Sequence, residues 1–234
     1  MISAFDRIVI AVPDLAAGME DYQCLLGANF WLLPGERPPV RAWLGLANVV
    51  LELCEKEIES PAIVGLVFTG DGHPGTPVNV TNARQLALSI CDGNETAMFR
   101  REQPAAQNPG LKVDHLVLRT GDADDCVNLF SVGLGIRFAL DRDAPQWGGR
   151  MLFFRVGKLT LEVIEPTDDK PEKDYFWGIA YQCPDISTTA ATLRQRGVEL
   201  SEVRDGRKPG TKVATIKSHS LALPTLLIEP AIRV

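Results

Sequence analysis

A few residues in this chain have the types and spacing to do chemistry. In VDHLVLR (113–119) the alternation of a β-strand sets Val113, His115, Val117 and Arg119 on one face. In LFFRVGKLTLEVIE (152–165) a hairpin closed at Gly157-Lys158 faces Arg155 with Thr160 and Phe153 with Glu162. An imidazole and a carboxylate are donor types that a borderline divalent metal accepts, and they are equally the parts of a buried hydrogen-bonded pair. AWLGLANVVLELCE (42–55) aligns on that hairpin without a gap, placing Glu52 over Glu162, with Trp43 opposite Glu52 across an Ala47-Asn48 turn. The run RDGRKPGTK (204–212) is rich in Arg and Lys around a single acid and leads into a strand. It reads either as a solvated hairpin loop or as a cationic flap, with Arg207 and Lys208 the contacts for a carboxylate or phosphate and Gly206 and Gly210 letting backbone approach. Trp147, Tyr175, Phe176 and Trp177 concentrate in the C-terminal half, as core or as the wall of a ligand pocket. His73 and His219 sit in loop contexts.

The elements that must position these residues repeat. FDRIVIAVPDLAAGMEDYQCLLGANF (5–30), VDHLVLRTGDADDCVNLFSVGLGIRF (113–138) and WGIAYQCPDISTTAATLRQRGVEL (177–200) open alike. Each has a β-prone run, an Asp suited to N-capping (Asp14, Asp122, Asp185), helix-spaced apolar residues and a stopping glycine (Gly27, Gly135, Gly197). These predict helices over 15–26, 123–134 and 186–196. A hairpin follows each, the last being TKVATIK and PTLLIEP around a turn at 218–223. The unit is strand–helix–strand–strand–strand. Residues 62–103 hold the strands AIVGLVFTG and QLALSIC, but GDGHPGTPVNV stands where the helix belongs, so they read as a degenerate second copy. The aperiodic stretch 104–112 is the natural linker between two halves, 1–104 and 112–234, each expected to form one open eight-stranded sheet.

With 45% apolar and 23% charged residues the composition is that of an average globular protein. A net charge of −6 and a pI near 5.2 give no basic face for nucleic acid. No run approaches the roughly 20 apolar residues of a membrane span. MISAFDRIVIAV carries Asp6 and Arg7 inside its apolar run, which argues against a signal peptide. Five scattered cysteines without a CxxC fit free thiols of a reducing compartment, so a cytoplasmic location is expected. GxSxG, HExxH and P-loop motifs are missing.

Four βαβββ modules in two pairs resemble the vicinal oxygen chelate superfamily, which includes glyoxalase I, the bleomycin-resistance proteins and the extradiol dioxygenases. The likeness is carried by VDHLVLRT, KLTLEVIEP and GTKVATIKSHSLALPTLLIEP. It implies an α+β fold in which two modules curl into an open curved β-barrel with external helices, modules pairing 1+2 and 3+4 or 1+4 and 2+3. It also implies a divalent metal (Zn, Ni, Fe or Mn) held by His or Gln of a first strand and Glu of a last strand. The first-strand position falls on Arg7, Gly65, His115 and Gly178. The last-strand position falls on Glu52, Glu162 and Leu226. Only module three keeps both ligand types, which makes His115 and Glu162 the metal residues and Glu162, or a metal-bound water, the catalytic base. Arg7 beside Glu52 would pair as ions. With Trp43 they are a structural pair or a polar floor for ligand; Arg155, Trp147, Trp177, Arg207 and Lys208 complete the substrate-binding set. The resemblance implies a metal-assisted lyase or isomerase acting on a small oxygen-rich molecule, or alternatively a metal-free small-molecule binding protein of the bleomycin-resistance type. A homodimer is compatible with either.

Overall fold

The structure, a computed structural model, describes residues 1–32, 40–101 and 110–231. Most of the expected linker, 104–112, lies outside them.

Module one consists of β1 (Ile2–Val12), α1 (Leu15–Leu26), β2 (Trp31–Leu32), β3 (Arg41–Gly45) and β4 (Val50–Glu55). Module two consists of β5 (Ala62–Gly70), β6 (Val78–Asn79) and β7 (Ala87–Cys91), followed by α2 (Asn94–Arg101). Module three runs β8 (Lys112–Arg119), α3 (Ala123–Val127), β9 (Arg137–Ala144), β10 (Gly149–Val156) and β11 (Leu159–Pro166). Module four runs β12 (Tyr175–Gln182), α4 (Ile186–Gln195), β13 (Arg204–Asp205), β14 (Lys212–Ile216) and β15 (Thr225–Glu229).

The helices begin and end for the reasons their sequences give. Asp14, Asp122 and Asp185 are extended, and each side chain accepts a bond from the backbone N–H three residues on. Gly27, Gly135 and Gly197 take left-handed φ values of 65°, 66° and 87°, which stop the helix without a Cβ clash. The helix after Asp122 widens into a π-helix over Asn128–Gly133, where the Leu134 N–H donates to Leu129 five residues back.

Modules pair as sequence neighbours. β1 lies antiparallel to β5 in a seven-stranded sheet of order β2-β3-β4-β1-β5-β7-β6. β8 lies antiparallel to β12 in an eight-stranded sheet of order β13-β14-β15-β12-β8-β11-β10-β9. The eight strands expected of the N-terminal sheet are corrected to seven among the described residues, because module two supplies three. No helix stands between β5 and β6, where Gly and Pro replace helix formers, and α2 follows the last strand instead.

In every module the first strand pairs in parallel with the last: β1 with β4, β5 with β7, β8 with β11 and β12 with β15. One face of each sheet carries the apolar core. Leu116, Leu118, Leu161 and Val163 are fully buried there, each contributing about 1.5–3 kcal/mol relative to exposure. The two halves dock reciprocally. Asn48, at the β3–β4 turn, donates its Nδ2 to the Val113 carbonyl of β8 at 2.6 Å and accepts from the Val113 N–H at 3.2 Å. The β10–β11 turn in return sits on β1, where a Cβ on Gly157 would stand 2.9 Å from the Ser3 carbonyl.

Candidate functional site

Strand register sets out the concave face of the C-terminal sheet in rows. Arg155 pairs with Thr160 and Thr160 with His115; Leu140 pairs with Phe153, Phe153 with Glu162 and Glu162 with Val117; Arg142 pairs with Met151, Met151 with Ile164 and Ile164 with Arg119. His115 and Glu162 therefore stand one row apart. Their Nε2 and Oε2 atoms are 3.7 Å apart, with side chains 18% and 15% exposed, so solvent reaches both. The other ring nitrogen, Nδ1, lies 2.9 Å from Asp114 Oδ2. Burial pulls the imidazole pKa down, but the hydrogen bond to Asp114 and the charges of Glu162 and Asp114 outweigh it, and the group stands above its ordinary value. Burial raises the Asp114 carboxyl, yet the bond and charge of His115 carry it below its ordinary value.

Around this pair the face is cationic. Arg155 donates to Thr160 Oγ1 at 2.8 Å. Arg119 stands two rows from His115 and one from Glu162, about 13 and 7 Å along the strand direction. Its guanidinium lies 6.0 Å from the Trp177 ring, while its buried Nε has no hydrogen-bond partner among the described residues. A strand bulge between Phe176 and Gly178 sets Trp177 at this place. Trp147, in the β9–β10 connection, has two guanidiniums over its ring, Arg142 at 4.3 Å and Arg207 at 5.4 Å. Arg207 belongs to the β13–β14 loop at the opposite end of the strand order, so this contact brings the two ends of the curved sheet together. Lys208 on the same loop is exposed, its carbonyl accepting from Thr211. His219 is held by Ser218 at 2.8 Å in the β14–β15 turn.

Arg7, Glu52 and Trp43 also come together, in the equivalent place of the N-terminal sheet. Arg7 lies 3.1 Å from Asp6, 3.6 Å from Glu52 and 3.6 Å from Glu95 of α2, with its guanidinium 4.7 Å from the Trp43 ring. The Trp43 indole donates to Glu52 at 2.7 Å, and Thr96 of α2 donates to Asp6. Phe99 of α2 packs edge-on against Trp43, so α2 caps a buried ion cluster.

The register also places the last-strand residue of module two, which the sequence alone leaves unassigned. Gly65 pairs with Ala87 as His115 pairs with Thr160, so the residue is Ser89. The first-strand glycines of modules two and four are there for steric reasons. A Cβ on Gly65 would meet the Ala87 carbonyl at 2.9 Å, and one on Gly178 the Pro224 carbonyl at 2.5 Å. Module four can thus add no donor at Gly178, and Leu226 offers none. Among the described residues no three His, Cys, Asp or Glu side chains converge on a point where a metal ion could sit. A catalytic metal ordinarily takes three protein ligands, and the two donors here do not fit a resident one. Arg119 is the residue sequence reasoning passed over. Its place on the His115 face was legible, but its lack of an anionic partner was not.

Residues 114–215 match the family described as the glyoxalase/bleomycin resistance protein/dioxygenase superfamily. No curated protein matches the sequence. Among solved structures, a mutant of 4-hydroxymandelate synthase from Streptomyces coelicolor is 14% identical, covering 100% of this chain and 94% of its own, at a TM-score of 0.71. A fusion of a xylose isomerase-like TIM barrel with 4-hydroxyphenylpyruvate dioxygenase is 13% identical over 100% of this chain and 50% of its own, at a TM-score of 0.70. Methylmalonyl-CoA epimerase from Mycobacterium tuberculosis is 19% identical over 51% of this chain and 88% of its own, at a TM-score of 0.45. Residues 114–215 thus match this superfamily in sequence, and the chain as a whole has the fold of the 4-hydroxymandelate synthase structure.

Proposed function

We propose that the C-terminal cup binds a small anionic, oxygen-rich molecule and moves a proton on it, as an isomerase or lyase does. The observation that carries this reading is Arg119. It is a concave-face cation without an anionic partner among the described residues, one strand row from a solvent-reached carboxylate and two from the imidazole beside it. A carboxylate held by Arg119 puts the adjoining carbon of a small acid near Glu162, about 7 Å away. Glu162 takes the proton as general base, and His115 beside it supports the Glu162 charge and returns the proton. Arg142, Arg155 and Arg207 lend positive potential that stabilises an enolate-like oxygen. No step requires a metal.

The test is solvent exchange. Wild-type protein in D2O is incubated with a panel of 2-hydroxy and 2-keto acids, and loss of the C2 proton of the former or of a C3 proton of the latter is followed by NMR. At least one acid exchanges, Glu162→Gln abolishes exchange while binding persists, Arg119→Met abolishes binding, and EDTA changes neither. Exchange in Glu162→Gln as fast as in wild type would overturn the proposal. A second reading, sequestration without chemistry, is favoured by the gathering of Arg142 and Arg207 at Trp147, which suits holding a ligand by its negative charge. It predicts binding with no exchange in any variant.

A further inference from the structure

The missing helix of module two leaves a distinct cavity. In modules one, three and four a helix covers the core face of the last strand or its neighbour: α1 lies on β4, α3 on β11, and α4 on β14 and β15. On β7 that face carries Leu88, which is buried in the core, and Ile90, which pairs with Phe68 of β5 and Val78 of β6 and borders the open space. In place of a helix of its own, β7 looks across about 570 Å³ of open space to α3 and the π-helix of module three. This volume is within the range of small-molecule sites.

The walls are unusual on both sides. Asn82 and Arg84, which line the space, have φ values of 56° and 53°, in the left-handed region, and Gln85 just beyond the wall has 65°. Such strain persists only where the surroundings impose it, and it gathers at ligand sites. The facing wall is the widened turn Asn128–Gly133, and π-helical turns inside helices likewise gather at functional sites.

The chemistry of the lining defines what would fit. The one guanidinium, Arg84, is consumed: it donates to Asp174 at 3.1 Å, to Thr120 at 3.3 Å and to Asp125. An anion finds no free cation here. His73, Thr81, Asn82 and Asn128 line the space, the last three at its solvent-exposed rim, with side chains that make no hydrogen bond to any described residue, and Val78, Val80 and Leu129 provide an apolar strip beside them. Imidazole, hydroxyl and carboxamide groups along one edge match a ligand that both donates and accepts without carrying charge.

We infer that this cavity between the halves is a second binding site, for an uncharged small molecule bearing hydroxyl or amide groups. It is separate from the cationic C-terminal cup in place and in ligand charge. The experiment is ligand-observed NMR on the whole protein with nicotinamide and N-acetylglucosamine as uncharged probes at millimolar concentration. At least one shows saturation transfer, acetate and inorganic phosphate do not displace it, and His115→Ala leaves it unchanged. Thr81→Trp and Asn128→Trp, which fill the cavity from opposite halves, each weaken binding by about tenfold or more. Thermal melts establish that each variant is folded, and either one alone suffices if the other is not. Absence of transfer to both uncharged probes, displacement by acetate or phosphate, or wild-type affinity in a folded filling variant would overturn the inference.

Discussion

The two concave floors of this molecule are built alike and end differently. Arg7 and Glu52 occupy the strand positions that His115 and Glu162 occupy in the other half, in the same parallel register. In the N-terminal half α2 lies over the floor, and Arg7 and Glu52 are 5% and 7% exposed. In the C-terminal half no helix lies over the floor among the described residues, and the equivalent pair is reached by solvent. The identity of the polar residues matters less than what covers them. Covered charges must be paired and become scaffold; uncovered ones keep a free side and can act on a ligand.

The largest effect should come from breaking the covered cluster. Arg7→Met leaves Asp6 and Glu52 buried without their cation and should cost about 3–5 kcal/mol of stability in urea denaturation. His115→Gln, at the equivalent position of the open floor, should cost less than about 1.5 kcal/mol because water can replace the lost partner. Equal costs would mean that the two floors are structurally equivalent after all.

Next come the glycines that close off donor positions. Gly178→Ala puts a Cβ at 2.5 Å from the Pro224 carbonyl and Gly65→Ala one at 2.9 Å from the Ala87 carbonyl. The first should cost about 1–3 kcal/mol and the second less, since backbone must move further at Gly178. Thermal melts of the two variants give the order. The reverse order would show that the C-terminal sheet yields more easily than the N-terminal one.

Local chemistry was legible in the sequence, and tertiary approach was not. Asp14, Asp122 and Asp185 mark helix starts because a cap bond spans only three residues. The Glu52 and Glu162 hairpins read correctly because cross-strand register follows from a tight turn. Ser89 could not be placed, since its partner strand β5 is reached across a segment with no helix to count from. The seven-strand sheet, α2 over Arg7 and the unpartnered Arg119 depend on which surfaces meet after folding, and no periodicity encodes that. Gly178 reads as a lost ligand in sequence, but in three dimensions it is a contact with Pro224.

A pH dependence of stability should arise at the open floor. The His115 pKa is raised, so its contribution to stability is complete below its unfolded value of about 6.5 and lost as pH rises through the folded value. The Asp114 pKa is lowered, so its contribution holds above about 3.8 and is lost as pH falls through the folded value. The pair should stabilise the protein most between those limits. Urea midpoints across that range and above it should decline on the alkaline side for wild type, and His115→Gln should flatten the decline. An unchanged alkaline slope in that variant would assign the effect to another group.

The smallest effect concerns the contact that joins the ends of the C-terminal sheet. Arg207 lies over Trp147 on an exposed loop, and a cation–π contact at such a site contributes about 0.5–1 kcal/mol. Arg142 lies closer to the same ring, at 4.3 Å, and keeps the indole in place when Arg207 is removed. Arg207→Ala should therefore lower stability by no more than that amount. Trp147→Ala, which removes the ring from both guanidiniums, should cost more than Arg207→Ala. The N-terminal sheet offers a control in Trp43, which also has an arginine over its ring but is fully buried and hydrogen-bonded to Glu52. Trp43→Phe should cost more than Arg207→Ala, because it strands a buried carboxylate oxygen. If Arg207→Ala were the more damaging of the two, the loop contact would be a structural clasp like the α2 cap, and the contrast between a closed floor and an open one would fail at the rim.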